Sequence, residues 1–378
     1  MHIGIDIRSS YQLDGAGRYV KNLIRALEEI DKFNNRYSLF TYLHKRSQDK
    51  DNFNTISAYL PRLIPKVHPY KYRDTWDDFY LPKKLKKNNI EVFHGPNFLL
   101  PREKFSKMVV TIHDLAFKYF EDWVDKATYT YYNQRIEETI KQADMIIAVS
   151  LSTKKDIIKF FNIHEEKIRV IYSACDPCFC PIPLDNSVKY LENHFNIRHN
   201  SFILYVGAIQ PRKNIGNLLL AYSFLDKAIR KEWKLFILGK GYRNNYHMEL
   251  EQMVKNMGLL ENVVFLSNID DSRLNFFYNA AGIFVYPSLF EGFGLPVLEA
   301  MSCKLPVIVS KTTSLPEIVN DAGMYVDPTK FEDIFRALAI LIRDKERRKA
   351  LGNKALERSK LFSWKATAYE TIKAYKEA

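Results

Sequence analysis

Two glutamates, Glu291 and Glu299, flank a glycine-rich turn in the second half of the chain. Gly292 and Gly294 let the backbone approach a ligand closely, and Pro296 suits the first turn of a helix. The N–H groups at a helix start favour an anion such as phosphate, and carboxylates accept hydrogen bonds from sugar hydroxyls. We predict an anion-binding corner whose glutamates serve different parts of one ligand. Each feature taken singly has an alternative interpretation that fits equally well. A glutamate in the first turn of a helix can simply complement the helix dipole, and a glycine-rich turn can simply be a tight connection.

A pair of cations forms a second candidate site. Arg212 and Lys213 lie between a strand pattern that ends near Gly207 and a helix pattern that starts near Ile215. Two cations there would neutralise a pyrophosphate leaving group, on which negative charge develops. The alternative is a solvated surface pair, since charged pairs usually lie in solvent.

Three further motifs follow strand patterns in the first half of the chain. Gly15 and Gly17 form only a weak dinucleotide fingerprint, because the third glycine is missing and the motif begins several residues after the strand. His113 follows a strand pattern, and a histidine that only caps the strand end is the alternative to a site residue. Ser150 suits a position near the site or the N-cap of a helix.

Short apolar runs alternate with helical patterns, and this alternation starts twice along the chain. The first series contains His2–Ile7, Tyr37–Leu43, Met108–Ile112, Met145–Val149 and Ile168–Ile171. The second series contains Phe202–Val206, Lys234–Leu238, Val263–Leu266, Ile283–Tyr286, Pro306–Val309 and Met324–Val326. Buried parallel strands have this appearance, and their alternation with helices implies right-handed βαβ units. We therefore predict the α/β class with two doubly wound, Rossmann-like domains.

A polar stretch from about Pro181 to Asn200 separates the two series and has the composition of a linker. We predict domains at residues 1–185 and 195–360. Ligands of open α/β sheets bind beyond the carboxyl ends of the strands, so we expect the chemistry in a cleft between the two domains. The final stretch is predicted to be helical, with Trp364, Ala368, Ile372 and Tyr375 near one face.

The composition excludes several classes of protein. Of the 378 residues, 47% are hydrophobic and 26% charged, close to the average for soluble globular chains, so wholesale disorder is excluded. No run approaches the roughly 18 apolar residues of a spanning helix, and the N-terminus lacks a signal-peptide pattern. We therefore expect a cytoplasmic protein. Its 56 basic and 44 acidic residues give a formal net charge of +12, which favours an acidic partner.

Basic and aromatic residues are concentrated between Lys45 and Lys107. The basic members are Lys45, Arg46, Lys66, Lys71, Arg73, Lys83, Lys84, Lys86, Lys87, Lys104 and Lys107, and the aromatic members are Tyr59, Tyr70, Tyr72, Trp76, Phe79 and Tyr80. This mixture fits an anionic membrane surface. A solvated face over a tyrosine-rich core fits it equally well, because no sustained amphipathic helix is obvious there.

The chain has four cysteines, at Cys175, Cys178, Cys180 and Cys303. They are too few and too clustered for the disulfide framework of a secreted chain of this length, so we predict reduced thiols. Zinc takes four ligands in two spaced pairs, and only one remote cysteine is left to complete the cluster. We therefore predict no metal site.

The string from Glu291 to Val307 resembles the retaining nucleotide-sugar glycosyltransferases of the GT-B fold, in the GT4-like (group 1) family that includes sucrose synthase and many bacterial mannosyltransferases. Val206–Asn214 resembles the phosphate-binding turn of this family, and Ser314–Val319 its next helix. Asp14–Tyr19 resembles its glycine-bearing loop between the first strand and the first helix. The chain departs from the pattern at Ala208, where many members carry a basic residue.

The resemblance implies a role for each candidate residue. Arg212, Lys213 and the helix start would hold the diphosphate, Glu299 would accept hydrogen bonds from the ribose hydroxyls, and His113 would contact the donor sugar. The hexose would be held by Glu291 and by the backbone of Gly292, Phe293, Gly294 and Leu295. Gly15 and Gly17 would approach the donor phosphate from across the cleft. His113, Glu291, Arg212 and Lys213 form the implied catalytic set, and the last helix, about residues 362–378, would pack back on the N-terminal domain.

The activity that the resemblance implies is transfer of a hexose from a nucleotide sugar to a hydroxyl, with retention of the anomeric configuration. Mannose from GDP-mannose is the first expectation, and a UDP sugar is the alternative. The implied acceptor is a glycan or lipid-linked glycan of surface-polysaccharide assembly, at the cytosolic face of the membrane. The family scheme includes no D-x-D metal site, so we expect no metal and no cofactor.

Two other functions remain as alternatives. A nucleotide-sugar epimerase or a phosphorylase would use the same fold, and water or phosphate rather than an alcohol would then accept the sugar. A basic nucleic-acid-binding protein would show salt-dependent affinity for DNA or RNA. Nothing in the sequence resembles a recognition helix or a stacking sheet, so no nucleic-acid partner is expected.

Overall fold

A computed structural model describes residues 1–11, 14–41, 53–57, 74–121, 126–195, 197, 202–239 and 245–378. The chain divides into two compact units. Unit 1 contains Met1–Ser173 and Ser363–Ala378, and unit 2 contains Ala174–Phe362. Each unit is built around its own parallel sheet with helices connecting the strands, which is the doubly wound arrangement predicted from the sequence.

Unit 1 has a seven-stranded sheet in the order β3-β2-β1-β4-β5-β6-β7. The strands are β1 (His2–Asp6), β2 (Arg36–Thr41), β3 (Phe53–Ser57), β4 (Val92–Gly95), β5 (Lys107–Ile112), β6 (Met145–Ala148) and β7 (Ile168–Val170). The α-helices are α1 (Gly15–Ile30), α2 (Leu81–Lys87), α3 (Ala116–Tyr119), α4 (Lys126–Gln142) and α5 (Leu151–Phe161), with short 3-10 or π turns at Arg8–Tyr11, Trp76–Tyr80 and Glu165–Lys167.

Unit 2 has a six-stranded sheet in the order β10-β9-β8-β11-β12-β13. The strands are β8 (Ile203–Val206), β9 (Leu235–Leu238), β10 (Val263–Leu266), β11 (Ile283–Tyr286), β12 (Val307–Ser310) and β13 (Gly323–Val326). The helices are α6 (Leu184–Phe195), α7 (Ile215–Ser223), α8 (Lys227–Glu232), α9 (Asn245–Asn256), α10 (Asp271–Ala280), α11 (Leu295–Ser302), α12 (Leu315–Val319), α13 (Phe331–Arg343) and α14 (Lys345–Ser359), with a 3-10 turn at Pro211–Lys213.

The central strands are buried, which explains why the sequence displays them as continuous apolar runs. In β1, for example, Ile3 and Ile5 are fully buried, and Ile3 lies opposite Tyr37 of β2 and Val92 of β4. In each sheet, the strands added after the first one run outwards in one direction, and the later strands run outwards in the other. The order therefore reverses between β1 and β4 in unit 1 and between β8 and β11 in unit 2, and a switch point lies at the carboxyl ends of each pair. Crevices at such points are where open α/β sheets bind ligands.

Helix α15 (Trp364–Glu377) closes the chain and belongs to unit 1. Ser363 caps its N-terminus by accepting a hydrogen bond from the N–H of Ala366, at 3.2 Å. Trp364, Ala368 and Tyr375 are buried, in accordance with the apolar face predicted for this stretch. Among the described residues, no helix is both long and apolar enough to cross a membrane.

The structure differs from the sequence prediction at the linker. The sequence predicts a linker from about Pro181 to Asn200, but helix α6 occupies most of this stretch. The chain also passes from unit 1 to unit 2 after Ser173, earlier than the predicted boundary at 185 to 195. Pro181 and Pro183 precede the helix rather than interrupt it, and proline is compatible with a helix start.

Part of the predicted basic and aromatic stretch lies outside the described residues. These members are Lys45, Arg46, Tyr59, Lys66, Tyr70, Lys71, Tyr72 and Arg73. Among the remaining members, Trp76 is fully buried, whereas Phe79 and Tyr80 are exposed. Within the stretch, the segment Trp76–Lys87 is helical, with Trp76, Leu81 and Leu85 buried and a mixed aromatic and basic outer face.

Candidate functional site

The turn that carries the two cations is rigidly built. After the 3-10 turn Pro211–Lys213, Asn214 adopts a left-handed conformation, with φ of 60°, and α7 begins at Ile215 as predicted. Asparagine tolerates this conformation better than most residues. Its side-chain amide donates to the carbonyl oxygens of Pro287, at 3.0 Å, and Pro328, at 2.6 Å. These bonds fix the turn to two neighbouring loops at the carboxyl end of the sheet.

Lys213 is a buried lysine, with 5% of its surface exposed. Its ammonium group donates hydrogen bonds to the hydroxyl of Tyr286, at 2.9 Å, and to the carboxylate of Glu291. The ammonium also lies 5.3 Å from the centre of the Tyr286 ring. A buried charge needs such partners, so the surface-pair interpretation is wrong for Lys213.

Glu291 is also buried, with 6% exposure, and accepts a hydrogen bond from the Ser288 hydroxyl at 2.6 Å. The guanidinium of Arg212 lies 3.6 Å from its other carboxylate oxygen. Burial by itself raises the pKa of this carboxyl. The charges of Lys213 and Arg212 lower the pKa by more than burial raises it, so the pKa lies below its usual value. The structure therefore brings together three residues singled out in the sequence: Arg212, Lys213 and Glu291.

Arg212 differs from Lys213 in its access to solvent, since 22% of its side chain is exposed. Its Nε donates to the side chain of Gln210 and one terminal nitrogen donates to the carbonyl of Phe290, both at 3.1 Å. Two cations and one carboxylate leave the cluster with a formal charge of +1. The cluster can therefore attract an anion to the partly exposed guanidinium.

The glycine-rich turn ends at the N-terminus of α11. Gly294 occupies the N-cap with φ of 109°, a conformation that favours glycine, and Pro296 lies in the first turn as predicted. The hydroxyl of Ser314 donates to the carbonyl oxygens of Glu291, at 3.0 Å, and Phe293, at 2.9 Å. These bonds direct the carbonyls of the turn towards α12. The helix N-terminus adds a partial positive charge close to the Glu291 cluster.

Glu299 lies in the body of α11 and is buried, with 2% exposure. Its carboxylate accepts a hydrogen bond from the hydroxyl of Tyr278 at 2.8 Å. Burial, and then the charge of Glu299, raises the pKa of the Cys175 thiol well above its usual range. The two glutamates thus occupy different surroundings.

All four cysteines are free thiols. Burial, followed by a hydrogen bond to Asp176, raises the pKa of Cys178 to about 12, so this thiol is protonated at neutral pH. Within the described ranges, no group of three or more histidine, cysteine or acidic side chains is arranged to hold a metal ion.

His113 follows β5 in unit 1. Its Nε2 lies 2.9 Å from the carbonyl oxygen of Pro96, so this nitrogen carries a proton and donates it. The imidazole packs edge-on against Tyr19 and Phe98, with ring centres at 5.0 and 5.7 Å. Burial lowers its pKa, which favours the neutral form. A neutral, oriented imidazole suits hydrogen bonding to a neutral ligand.

The sequence predicts that Gly15 and Gly17 lie in a loop between β1 and α1. In the structure, both glycines lie in the first turn of α1 itself. Asp14 is the N-cap, and its carboxylate accepts the N–H of Gly17 at 2.9 Å. The Gly17 N–H is therefore hydrogen-bonded within the chain. Ser150, by contrast, caps α5 as predicted and accepts the N–H of Thr153 at 3.0 Å.

Sequence reasoning missed three polar residues that surround the glutamates. Tyr286 and Ser288 contact the Lys213–Glu291 pair, and Tyr278 contacts Glu299. Tyr286 ends β11 and Ser288 follows two residues later, at the same sheet edge as the predicted site. Their position after a strand was a signal that could have identified them.

Comparison with known proteins places this geometry in a family. The family "Glycosyl transferases group 1" matches residues 191–358, and "Glycosyltransferase Family 4" matches residues 13–178. The O-antigen chain mannosyltransferase B of Escherichia coli is 31% identical over 380 residues, covering 97% of this chain and 97% of that protein.

Solved structures share the fold at lower identity. Sucrose-phosphate synthase from Thermosynechococcus elongatus superposes with a TM-score of 0.81 and 21% identity, covering 100% of this chain and 98% of that one. HepE from Anabaena, in complex with UDP-glucose, gives a TM-score of 0.76 with 15% identity and full coverage of both chains. The two Rossmann-like units thus form the GT-B fold, and the chain belongs to the GT4-like, group 1 family of glycosyltransferases.

Proposed function

We propose that this glycosyltransferase moves mannose from a nucleotide diphosphate sugar to a hydroxyl of a glycan or lipid-linked glycan, with retention of the anomeric configuration. The observation that carries the proposal is the cluster of Arg212, Lys213 and Glu291 beside the N-terminus of α11. Its net positive charge suits a diphosphate leaving group. The similarity to an O-antigen mannosyltransferase over nearly the whole of both chains supports mannose and a surface-polysaccharide acceptor.

The proposed mechanism uses the leaving group as the base. The acceptor oxygen bonds to the anomeric carbon while the bond from that carbon to the diphosphate oxygen breaks. The departing phosphate takes the proton of the acceptor hydroxyl, and reaction on the same face preserves the configuration. Arg212, Lys213 and the start of α11 stabilise the charge that develops on the diphosphate. Positioning and electrostatics are then the main contributions of the protein.

The remaining candidate residues are assigned to the rest of the donor. We assign Glu299 to the ribose hydroxyls and His113 to the sugar. The backbone of Gly292, Phe293, Gly294 and Leu295, with Glu291, is assigned to the hexose. Glu291 already accepts hydrogen bonds from Lys213 and Ser288. Besides contacting the hexose, it therefore holds Lys213 and Arg212 in position.

The first experiment is a calorimetric titration with GDP, UDP and ADP in EDTA, followed by the matching sugar nucleotides. Binding of GDP alone, without metal, supports GDP-mannose as the donor; binding of UDP alone replaces it with a UDP sugar. Lys213→Ala should weaken diphosphate binding by about 1 to 3 kcal/mol, because a charged hydrogen bond is lost. The control Arg273→Ala removes an exposed arginine of the same unit and should change nothing.

Activity is tested with the sugar nucleotide that binds and a polyprenyl-linked oligosaccharide. The anomeric configuration of the product, read by NMR, distinguishes retention from inversion. Transfer to water or phosphate instead of the alcohol would favour the hydrolytic or phosphorolytic alternative. Absence of diphosphate binding in the wild-type protein would overturn the proposed site.

We also propose that unit 1 binds an anionic membrane surface through the segment Trp76–Lys87. Its outer face exposes Phe79 and Tyr80, by 64% and 41%, together with Lys83, Lys86 and Lys87. Aromatic rings beside lysines suit the headgroup region of an anionic bilayer. This would position the enzyme beside a lipid-linked acceptor.

The membrane proposal is tested by sedimentation with vesicles of phosphatidylglycerol and phosphatidylcholine. The pair Lys83→Glu and Lys87→Glu should reduce binding to anionic vesicles and leave GDP binding unchanged. The matched pair Lys345→Glu and Lys349→Glu reverses two exposed charges of unit 2 and should have no effect. Equal binding of the wild-type protein to anionic and neutral vesicles would contradict the proposal.

A further inference from the structure

Tyr286, the last residue of β11, contacts the key lysine in two ways. Its hydroxyl accepts a hydrogen bond from the Lys213 ammonium at 2.9 Å, and its ring lies 5.3 Å from the same nitrogen. The ring is fixed between neighbours, since it stacks on Tyr205 at 5.6 Å and on Phe284 at 5.8 Å. With 1% exposure, Tyr286 cannot move without disturbing the sheet.

Glu291 also acts on the Tyr286 hydroxyl. Burial, and then the charge of Glu291, raises the pKa of Tyr286 well above its usual range, so the hydroxyl stays protonated. Its oxygen accepts an N–H from Lys213, and the same ammonium donates to the Glu291 carboxylate. The ammonium is therefore held between the tyrosine and the carboxylate.

This arrangement matters because Glu291 and a diphosphate both attract Lys213. An ammonium group has three N–H donors, and Tyr286 and Glu291 each accept one of them. Two fixed N–H groups set the rotation of the ammonium. The tyrosine therefore fixes an orientation that the carboxylate alone would not define.

We propose that Tyr286 is a positioning residue, which holds the Lys213 ammonium in place for the terminal phosphate of the donor diphosphate. The proposal rests on the diphosphate site argued above. It assigns to a strand-end tyrosine a share in the charge stabilisation of the leaving group, although Tyr286 itself is not expected to touch the ligand. Without the hydroxyl, Lys213 would be oriented mainly by Glu291 and would contribute less to the ligand.

The test compares GDP with GMP, which lacks the terminal phosphate. In Tyr286→Phe, the preference for GDP over GMP should fall about five- to tenfold, the size of the effect of one ordinary hydrogen bond, while GMP binding stays unchanged. If the wild-type protein prefers UDP, then UDP and UMP replace this pair. The control is Tyr222→Phe, which removes a buried hydroxyl of the same unit that donates to the carbonyl of Trp233 at 2.9 Å, outside the proposed site. The control should retain the full preference.

A double-mutant cycle separates positioning from a general structural role. In a Lys213→Met background, Tyr286→Phe should have no further effect on the diphosphate preference, because the hydroxyl would act only through the lysine. An unchanged preference in Tyr286→Phe would overturn the inference. An equal loss of GDP and GMP binding would also overturn it, since it would indicate a purely structural tyrosine. If the wild-type protein itself shows no preference for a diphosphate, the proposed function fails first.

Discussion

At the scale of the residue, Glu291 balances two cations in a buried setting. Replacing it by glutamine keeps its size and one acceptor oxygen but raises the formal charge of the cluster from +1 to +2. We therefore expect Glu291→Gln to bind free GDP more tightly, by about threefold to tenfold, with a steeper dependence on salt. Calorimetry at two ionic strengths measures both effects.

The same substitution has a cost in the unliganded protein. Lys213 would lose its charge partner in a buried position, and breaking a buried pair costs about 3 to 5 kcal/mol. Thermal unfolding should therefore show that the variant is destabilised and that GDP restores part of the lost stability. Weaker GDP binding in Glu291→Gln would mean that the carboxylate supports the ligand more than it competes with it.

His94 in unit 1 makes the stability of the protein depend on pH. It is fully buried between Tyr375 and Thr111, whose hydroxyls lie 2.8 Å from its two ring nitrogens. Burial, and then the charge of His113, lowers its pKa from 6.5 to about 3. The unfolded chain therefore binds this proton more readily, and the free energy of unfolding falls as the pH drops from about 6.5 towards 3.

The expected loss between pH 7.5 and pH 5 is about 2 kcal/mol, because each pH unit below the unfolded pKa costs about 1.4 kcal/mol. Chemical denaturation at several pH values measures this slope. His94→Gln should be less stable at neutral pH yet show a shallower slope, whereas replacement of the exposed His164 should leave the slope as it is. An unchanged slope in His94→Gln would assign the acid sensitivity to other groups.

At the scale of the element, the start of α11 depends on Gly294. A side chain there would meet Leu315 at 2.7 Å, in addition to the strain of φ at 109°. Gly258 also has positive φ, at 65°, but nothing lies within 4 Å of the position of its Cβ. Gly294→Ala should therefore lower the free energy of unfolding by about 2 to 4 kcal/mol, against about 1 for Gly258→Ala. It should also weaken GDP binding, which Gly258→Ala should not do.

Most strands with uniform burial were predictable from the sequence. Strands such as β5 and β11 are buried on both faces, so their apolar runs define them within one or two residues. Strand β3 was missed because its sequence, Phe-Asn-Thr-Ile-Ser, is half polar. Strand β4, Val-Phe-His-Gly, was missed although it is buried, because a histidine and a glycine interrupt its apolar run. Helix α6 was missed because prolines precede it and only Ser187 and Leu191 are buried within it.

The site was predictable only where chemistry and local spacing coincide. Arg212 and Lys213 are adjacent, and Glu291 lies in a distinctive turn, so their type and position identify them. Tyr286 is 73 positions from the lysine that it contacts, and only the parallel pairing of the strands brings them together. The N–H of Gly17 was assigned to a ligand because a sequence does not reveal that Asp14 already accepts it.

At the scale of the whole molecule, each unit has its own core, and the chain ends in the unit where it began. Helix α15 covers α1 and β6 of unit 1. Trp364 packs edge-on against Tyr19 at 5.7 Å, and the hydroxyl of Thr367 donates to the carbonyl of Tyr172 at 2.8 Å. The Tyr375 hydroxyl reaches His94. Removing α15 would therefore expose apolar surface and leave buried polar groups without partners in unit 1 alone.

We accordingly expect a chain that ends at Phe362 to lose the unfolding transition of unit 1 while keeping that of unit 2. Unit 2 contains Arg212, Lys213, Glu291 and Glu299, so GDP at 100 times its dissociation constant should still stabilise it by about 2.7 kcal/mol. Scanning calorimetry with and without GDP measures this. Tyr375→Phe removes only one hydroxyl. It should lower the free energy of unfolding of unit 1 by about 1 to 3 kcal/mol and leave the GDP-dependent transition of unit 2 in place. If truncation abolishes both transitions together, the two units do not unfold independently, and the stability of the nucleotide site depends on the last helix of the chain.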